Sequence, residues 1–325
     1  MVKTFSFSCS ACGQCCNSPP SMTLAELFRH PDRFIGCIAI GRVARRRPGE
    51  RLRVGGYETV LDDSDCAQFD ALGEALLYRA GDTFSIVAQG FDYPSLARCP
   101  ALTDDGRCSI HLQGKPLTCE VVPLDPLVPD SLQHLVLAER AQSAVYLGSA
   151  CIQEGERDDA PLLVNEGRVA DRDARDALAR RRRALEQERE VWTQAVFDAL
   201  RADLFDSPAA LARIPAGGFL TISLVPALLT VAAASERSRQ LCIDYIDSQL
   251  GLIERSIAQA LTRRRLDDRP VTQQLRGFAN AYRHAKERLE QAAASSEDGL
   301  RSHPMPARTG IEAIETYLSG ATSTH

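Results

Sequence analysis

The stretch FSCSACGQCCN, residues 7–17, sets four cysteines, Cys9, Cys12, Cys15 and Cys16, within eight positions. Three chemistries use thiols this crowded: a disulfide framework, a redox pair with spares, or a set of metal ligands. Compartment separates them. The N-terminus MVKTFSFSCSACG has one lysine and no apolar run of signal-peptide length, so a cytoplasmic address is expected. In a reducing compartment clustered thiols are metal ligands or redox groups more often than disulfides. The chain has 11 cysteines, and an odd number leaves at least one outside any pairing scheme. All but Cys242 fall within the first 151 residues, so the thiol chemistry belongs to the N-terminal half.

The Cys9-x-x-Cys12 spacing lets a tight turn aim two sulfurs at one ion, at about 2.3 Å for zinc. The same spacing recurs in Cys12-x-x-Cys15, and Cys16 follows at once. Adjacent residues tend to point apart, so one of Cys15 and Cys16 is expected to serve a second centre or another role. A second cluster, RCPALTDDGRCSIHLQGKPLTCEVVP from Arg98 to Pro123, adds Cys99, Cys108 and Cys119, with Asp104-Asp105-Gly106 as the turn of a knuckle. Cys151 in GSACIQEG is the eighth candidate. Eight thiols suit two four-coordinate ions, one polynuclear centre, or an iron-sulfur cluster with cysteines to spare. Cys37, Cys66 and Cys242 lack partners at useful spacing and read as packed small hydrophobes. His111 reads as a packing residue, and Tyr93 as packing beside the second cluster or lining a pocket.

CSACGQCC, CPALTDDGRCSIH and KPLTCEVVP together resemble the YkgJ-like, or CxxCxxCC, family of zinc- or iron-chelating proteins. That family's pattern runs C-x2-C-x2-C-C, then C-P-x-L with a downstream C-x-I-Y, then R-P-x2-C-R. The resemblance covers roughly residues 5–155 and implies that Cys9, Cys12, Cys15, Cys16, Cys99, Cys108 and Cys119 are metal ligands, with Cys151 an addition. His111, Lys115 and Glu120 depart from the pattern, and a lysine cannot reproduce an arginine's two-pronged contact with an anion. The family is distantly linked to flagellin lysine-N-methylases, so the resemblance also implies a runner-up activity, metal-dependent modification of protein side chains. A third reading is an iron or zinc sensor or delivery protein whose helical half docks a protein partner. No glycine-rich nucleotide loop, G-x-S-x-G or H-E-x-x-H occurs.

The remaining texture indicates an α+β chain. Residues 1–165 are expected to form a cysteine-rich mixed domain with a small antiparallel sheet, from short runs such as TFSIVA (83–88), LQHLVLA (132–138) and PLLV (161–164). SMTLAELFRHP carries a capping box at Thr23 and Glu26. Residues 166–325 are expected to be an all-helical domain: 173–205, a short helix after Ser207-Pro208, a long or broken helix from Phe219 to Arg265, then 271–295 and 310–320, with 294–309 a polar linker. The apolar run from Phe219 to Ala234 is shorter than the roughly 20 residues that cross a bilayer. A net charge of -5 offers nothing to nucleic acid or to an anionic membrane, and the arginine runs at 45–47, 180–183 and 263–265 read as solvated helix faces. Several amphipathic helices are compatible with a homodimer.

Overall fold

The computed structural model describes residues 3–54, 56–112, 114–143, 150–297 and 312–318. In chain order, β1 (Phe5–Phe7), β2 (Ser21–Met22), α1 (Leu24–Arg29) and β3 (Ile35–Val43) lead to the hairpin β4 (Arg51–Val54) and β5 (Tyr57–Val60). There follow α2 (Asp63–Leu76), β6 (Tyr78–Ala80), β7 (Asp82–Phe91), α3 (Leu117–Val121), α4 (Gln133–Gln142), β8 (Ile152–Glu154), β9 (Leu162–Asn165) and β10 (Arg168–Val169). The rest comprises α5 (Arg172–Glu188), α6 (Gln194–Leu204), α7 (Pro208–Leu211), β11 (Phe219–Ser223), α8 (Val225–Ala232), α9 (Glu236–Arg263) and α10 (Arg269–Glu297). Residues 312–318 form a last helix, α11. The fold is α+β, with small antiparallel sheets and a mainly helical C-terminal region. No helix among the described residues is long and apolar enough to cross a membrane.

Two compact units divide the chain, and they do not follow a cut at residue 165. The first comprises Met1–Pro20, Arg42–Ser85 and Ala101–Glu186, the second Ser21–Gly41, Ile86–Pro100 and Gln187–His325. A single boundary fails because strand pairing, which joins residues far apart in sequence, decides membership. β3, for example, pairs with β11 some 180 residues later, through Ile38↔Ile222 and Ile40↔Leu220.

The first unit is built on a four-stranded antiparallel sheet in the order β10-β9-β1-β8. One core cluster gathers Phe5, Val121, Leu137, Val164 and Leu178, and a smaller one gathers Leu61, Cys66, Leu132 and Leu135. The run LQHLVLA, expected as a strand, is helical in α4. Leu135 enters one cluster and Leu137 the other, so the helix is buried on opposite faces and shows no amphipathic period. Arg182 fastens the preceding loop, donating to the carbonyls of Pro126 and Val128 and pairing with Asp130 at 2.8 Å. Arg180 pairs with Glu120 at 3.0 Å, so this arginine run is partly structural.

The second unit places β11, β3, β7 and β2 side by side. Thr23 and Glu26 close the expected capping box at the head of α1, and Ser207 caps α7 by accepting from the Ala210 amide. The run FLTISLVPALL, expected as helix, begins instead with β11. The β-branched Thr221 and Ile222 fit a pleated surface, and Pro226 then enters α8 in its first turn, where no amide is needed. α9 is unbroken through Gly251 and ends at Arg264, which adopts a left-handed conformation at φ 54°. The fully buried residues of this unit include Phe34, Ile38, Trp192, Leu228, Ile246 and Tyr282. Of the polar linker, residues 298–309 lie outside the described residues.

Candidate metal centre

All eleven cysteines are free thiols. Seven of the eight candidates, Cys9, Cys12, Cys15, Cys16, Cys108, Cys119 and Cys151, belong to the first unit, and Cys99 belongs to the second. Cys9 and Cys12 are exposed, Cys15, Cys16, Cys108, Cys119 and Cys151 half-buried, and Cys99 buried. Sequence spacing gave no hint that Cys99 and Cys108 fall in different units.

The N-terminal cysteine loop leaves β1 and turns back sharply. Ala11 and Gly13 both have positive φ, 54° and 72°, and the Cys16 amide donates to the Gly13 carbonyl at 3.0 Å. The loop is anchored at both ends of its turn. At one end the Ser8 amide donates to the Cys151 carbonyl at 3.0 Å, and the Ser10 amide donates to Cys151 Sγ at 3.3 Å. The Ser10 hydroxyl lies 3.2 Å from the same sulfur. At the other end Gly13 lies against the Leu102–Cys108 turn, where a Cβ would stand 3.2 Å from the Gly106 carbonyl oxygen. Glycine is needed there on two counts, left-handed backbone and close approach.

The knuckle expected around Asp104-Asp105-Gly106 is present. Leu102 bridges to Cys108, the Thr103 amide donates to Arg107 at 2.9 Å, and the Gly106 amide donates to Thr103 at 3.0 Å. Asp105 accepts from the Thr103 hydroxyl and from the Arg107 amide, which holds its carboxyl below the usual carboxylate range. Cys119 lies in α3, whose first turn follows Pro116, with the Cys119 amide donating to Pro116 at 2.8 Å. His111 is exposed, which corrects its reading as a packing residue.

Cys15 and Cys16 do not point apart. Their thiols hydrogen-bond, and this contact more than any other pulls the Cys15 thiol down to about 6. Burial opposes the shift, while the charges of Lys115 and Arg140 reinforce it. The basis for assigning the pair to separate centres is thereby removed. Lys115, which cannot supply a guanidinium fork, supplies a positive charge felt by a thiol.

Two sequence-distant segments therefore meet the 9–16 loop in the first unit, the 102–108 turn through Gly13 and Cys151 through Ser10, and the charge of Lys115 acts on Cys15. One contact within the loop joins two cysteines, Cys15 and Cys16. Among the described residues no group of three or more His, Cys, Asp or Glu side chains stands ready to hold an ion. Soft thiol donors suit zinc or iron in chemistry, but the sulfur positions do not form a completed ligand shell. Cys37 and Cys242 are fully buried in the second unit and Cys66 in a core cluster of the first, as their isolated spacing suggested. Comparison with family models, curated proteins and solved structures finds no match to this chain.

Proposed function

We propose that the first unit is a metal-chelating module that binds zinc or iron, as ions or as an iron-sulfur cluster, through cysteine thiolates. The observation that carries this reading is the anchoring of one cysteine loop to two other cysteine-bearing segments, through Gly13 on the 102–108 turn and Ser10 on Cys151. Cys9, Cys12, Cys15, Cys16, Cys108, Cys119 and Cys151 are the proposed donors. Binding deprotonates thiols, and Cys15, held low beside Cys16, gives up its proton readily. A bound ion would close the exposed Cys9 and Cys12 turn over the half-buried sulfurs, supplying folding free energy to loops with little apolar burial of their own. The cytoplasmic address and the absence of nucleic-acid or membrane partners belong to the same proposal, as do a homodimer and a protein partner for the helical region.

Anaerobic purification, elemental analysis and an absorption spectrum test the reading. At least one zinc or iron per chain is expected, colourless for zinc and coloured for an iron-sulfur cluster. A metal-free chain whose residues 8–20 and 101–121 are as protected from hydrogen exchange as its sheets would overturn it.

A further inference from the structure

A cleft of about 240 Å3 lies within the second unit, between the end of β7 with its following turn and the last turns of α9. Its lining carries three arginines, Arg33, Arg98 and Arg263, and one carboxylate, Asp92, with Asp268 behind it paired to Arg263. Ile35, Phe91 and Leu252 supply apolar wall. We propose that this cleft binds a small oxyanion, a carboxylate or a phosphate monoester, carried on an apolar or aromatic body.

The cleft is held in shape before any ligand arrives. Arg263 is clamped by Asp268 through Nε at 3.2 Å and Nη2 at 3.0 Å, and its guanidinium lies 4.9 Å from the centre of the Tyr93 ring. That clamp engages only part of the five-donor fork. The Tyr93 ring is fixed in turn, its hydroxyl 3.1 Å from that of Thr272, which donates to the Asp268 carbonyl at 2.8 Å. Arg265 holds the Ser95 carbonyl at 2.9 Å and ties the turn after β7 to the end of α9. Asp92 spends one oxygen on the Tyr93 amide at 2.8 Å.

Each part of this arrangement selects for ligand chemistry. Planar guanidinium groups match the paired oxygens of carboxylate and phosphate, and a partly desolvated site strengthens the contact. Apolar walls reward a ring or short chain. A cleft of this size suits a single small body. The site uses none of the seven cysteines proposed as metal donors in the first unit, although Cys99 lies between its lining residues Arg98 and Pro100.

The test is calorimetric titration of the full-length protein with benzoate, phenyl phosphate and inorganic phosphate. Saturable binding of benzoate or phenyl phosphate at one per chain is expected, at least about tenfold tighter than inorganic phosphate because a ring is buried. The tighter of the two identifies the oxyanion. Arg33→Gln and Arg98→Gln should each weaken binding by about tenfold or more through loss of a charge-assisted contact. Ser256→Phe, which fills the cleft from α9 without removing a charge, should abolish binding while leaving circular dichroism unchanged. The proposal is overturned if neither aromatic probe binds, if phosphate binds as tightly as phenyl phosphate, or if folded Ser256→Phe protein binds like the parent.

Discussion

Cys15 and Cys242 are the same residue in opposite surroundings. Cys242 is fully buried in the second unit, where burial pushes its thiol up to about 12, and Cys37 is raised to the same value for the same reason. Cys15, on a half-buried loop of the first unit, is pulled down to about 6 by a neighbouring thiol and two cationic side chains. One environment makes cysteine a small hydrophobe; the other prepares a thiolate. The contrast extends to how the two regions are held. Gln249 in the second unit is completely buried and satisfies three backbone groups, accepting from Gly36 and donating to Pro31 and Phe34. The 9–16 loop rests on turn hydrogen bonds and one glycine contact, and its first two cysteines face solvent. Apolar burial stabilises the first kind of structure without help, whereas the second gains from a ligand.

The contrast breaks most visibly at the metal. Replacing Cys12 and Cys15 together by serine should lower bound zinc or iron at least about tenfold by elemental analysis, since each lost thiolate removes a strong ligand. Replacing Cys37 and Cys242 together by alanine should leave metal content unchanged. Equal loss from both pairs would erase the distinction between the two kinds of cysteine.

Within the second unit the largest stability effect is expected at Trp192, fully buried with its indole nitrogen donating to Glu188 at 2.9 Å. Trp192→Ala should cost about 4 kcal/mol in urea unfolding, from the cavity and from a buried carboxylate stripped of a donor. A cost under about 1 kcal/mol would mean that this core does not carry the unit.

The first unit offers a smaller, pH-dependent effect at His134, which is fully buried beside the Ser131 carbonyl and the Tyr57 ring. Burial, aided by the charge of Lys3, lowers its imidazole from 6.5 to about 4, against the Ser131 carbonyl and Asp65, which favour the proton. The folded state keeps the ring neutral while the unfolded chain takes up a proton. Stability is therefore full above pH 6.5, declines between about 6.5 and 4, and levels off below, an upper bound of about 3 kcal/mol. His134→Gln should flatten the pH dependence of the unfolding midpoint across that window. An unchanged slope would remove His134 from the account.

The smallest effect is at Cys242, whose thiol donates to the Leu228 carbonyl at 3.5 Å. Cys242→Ala should cost about 1 kcal/mol, as removal of one small buried group does. A larger loss together with loss of metal would make it a ligand rather than a packing residue.

Much of this was legible in the chain. The capping box at Thr23, the Ser207-Pro208 helix start, the 104–106 turn and the packing role of Cys37, Cys66 and Cys242 all depend on neighbours within a few residues, or on the lack of them. The misreadings have one cause. LQHLVLA and FLTISLVP are continuous apolar runs whose surroundings, rather than whose pattern, select helix and strand. The Cys15–Cys16 contact and the exposure of His111 likewise depend on how a loop is laid down. The arginine cleft was invisible because Arg33, Arg98 and Arg263 are more than 60 residues apart at each step.

Sequence alone determined the α+β class, the caps and turns, and the supply of closely spaced thiols, because local sterics and short-range hydrogen bonds act along the chain. Tertiary structure decided which segments share a unit, which thiols are cores and which are loops, and where three arginines line one cleft. Those outcomes follow from burial and strand pairing between residues far apart in sequence, and linear order does not encode their distances.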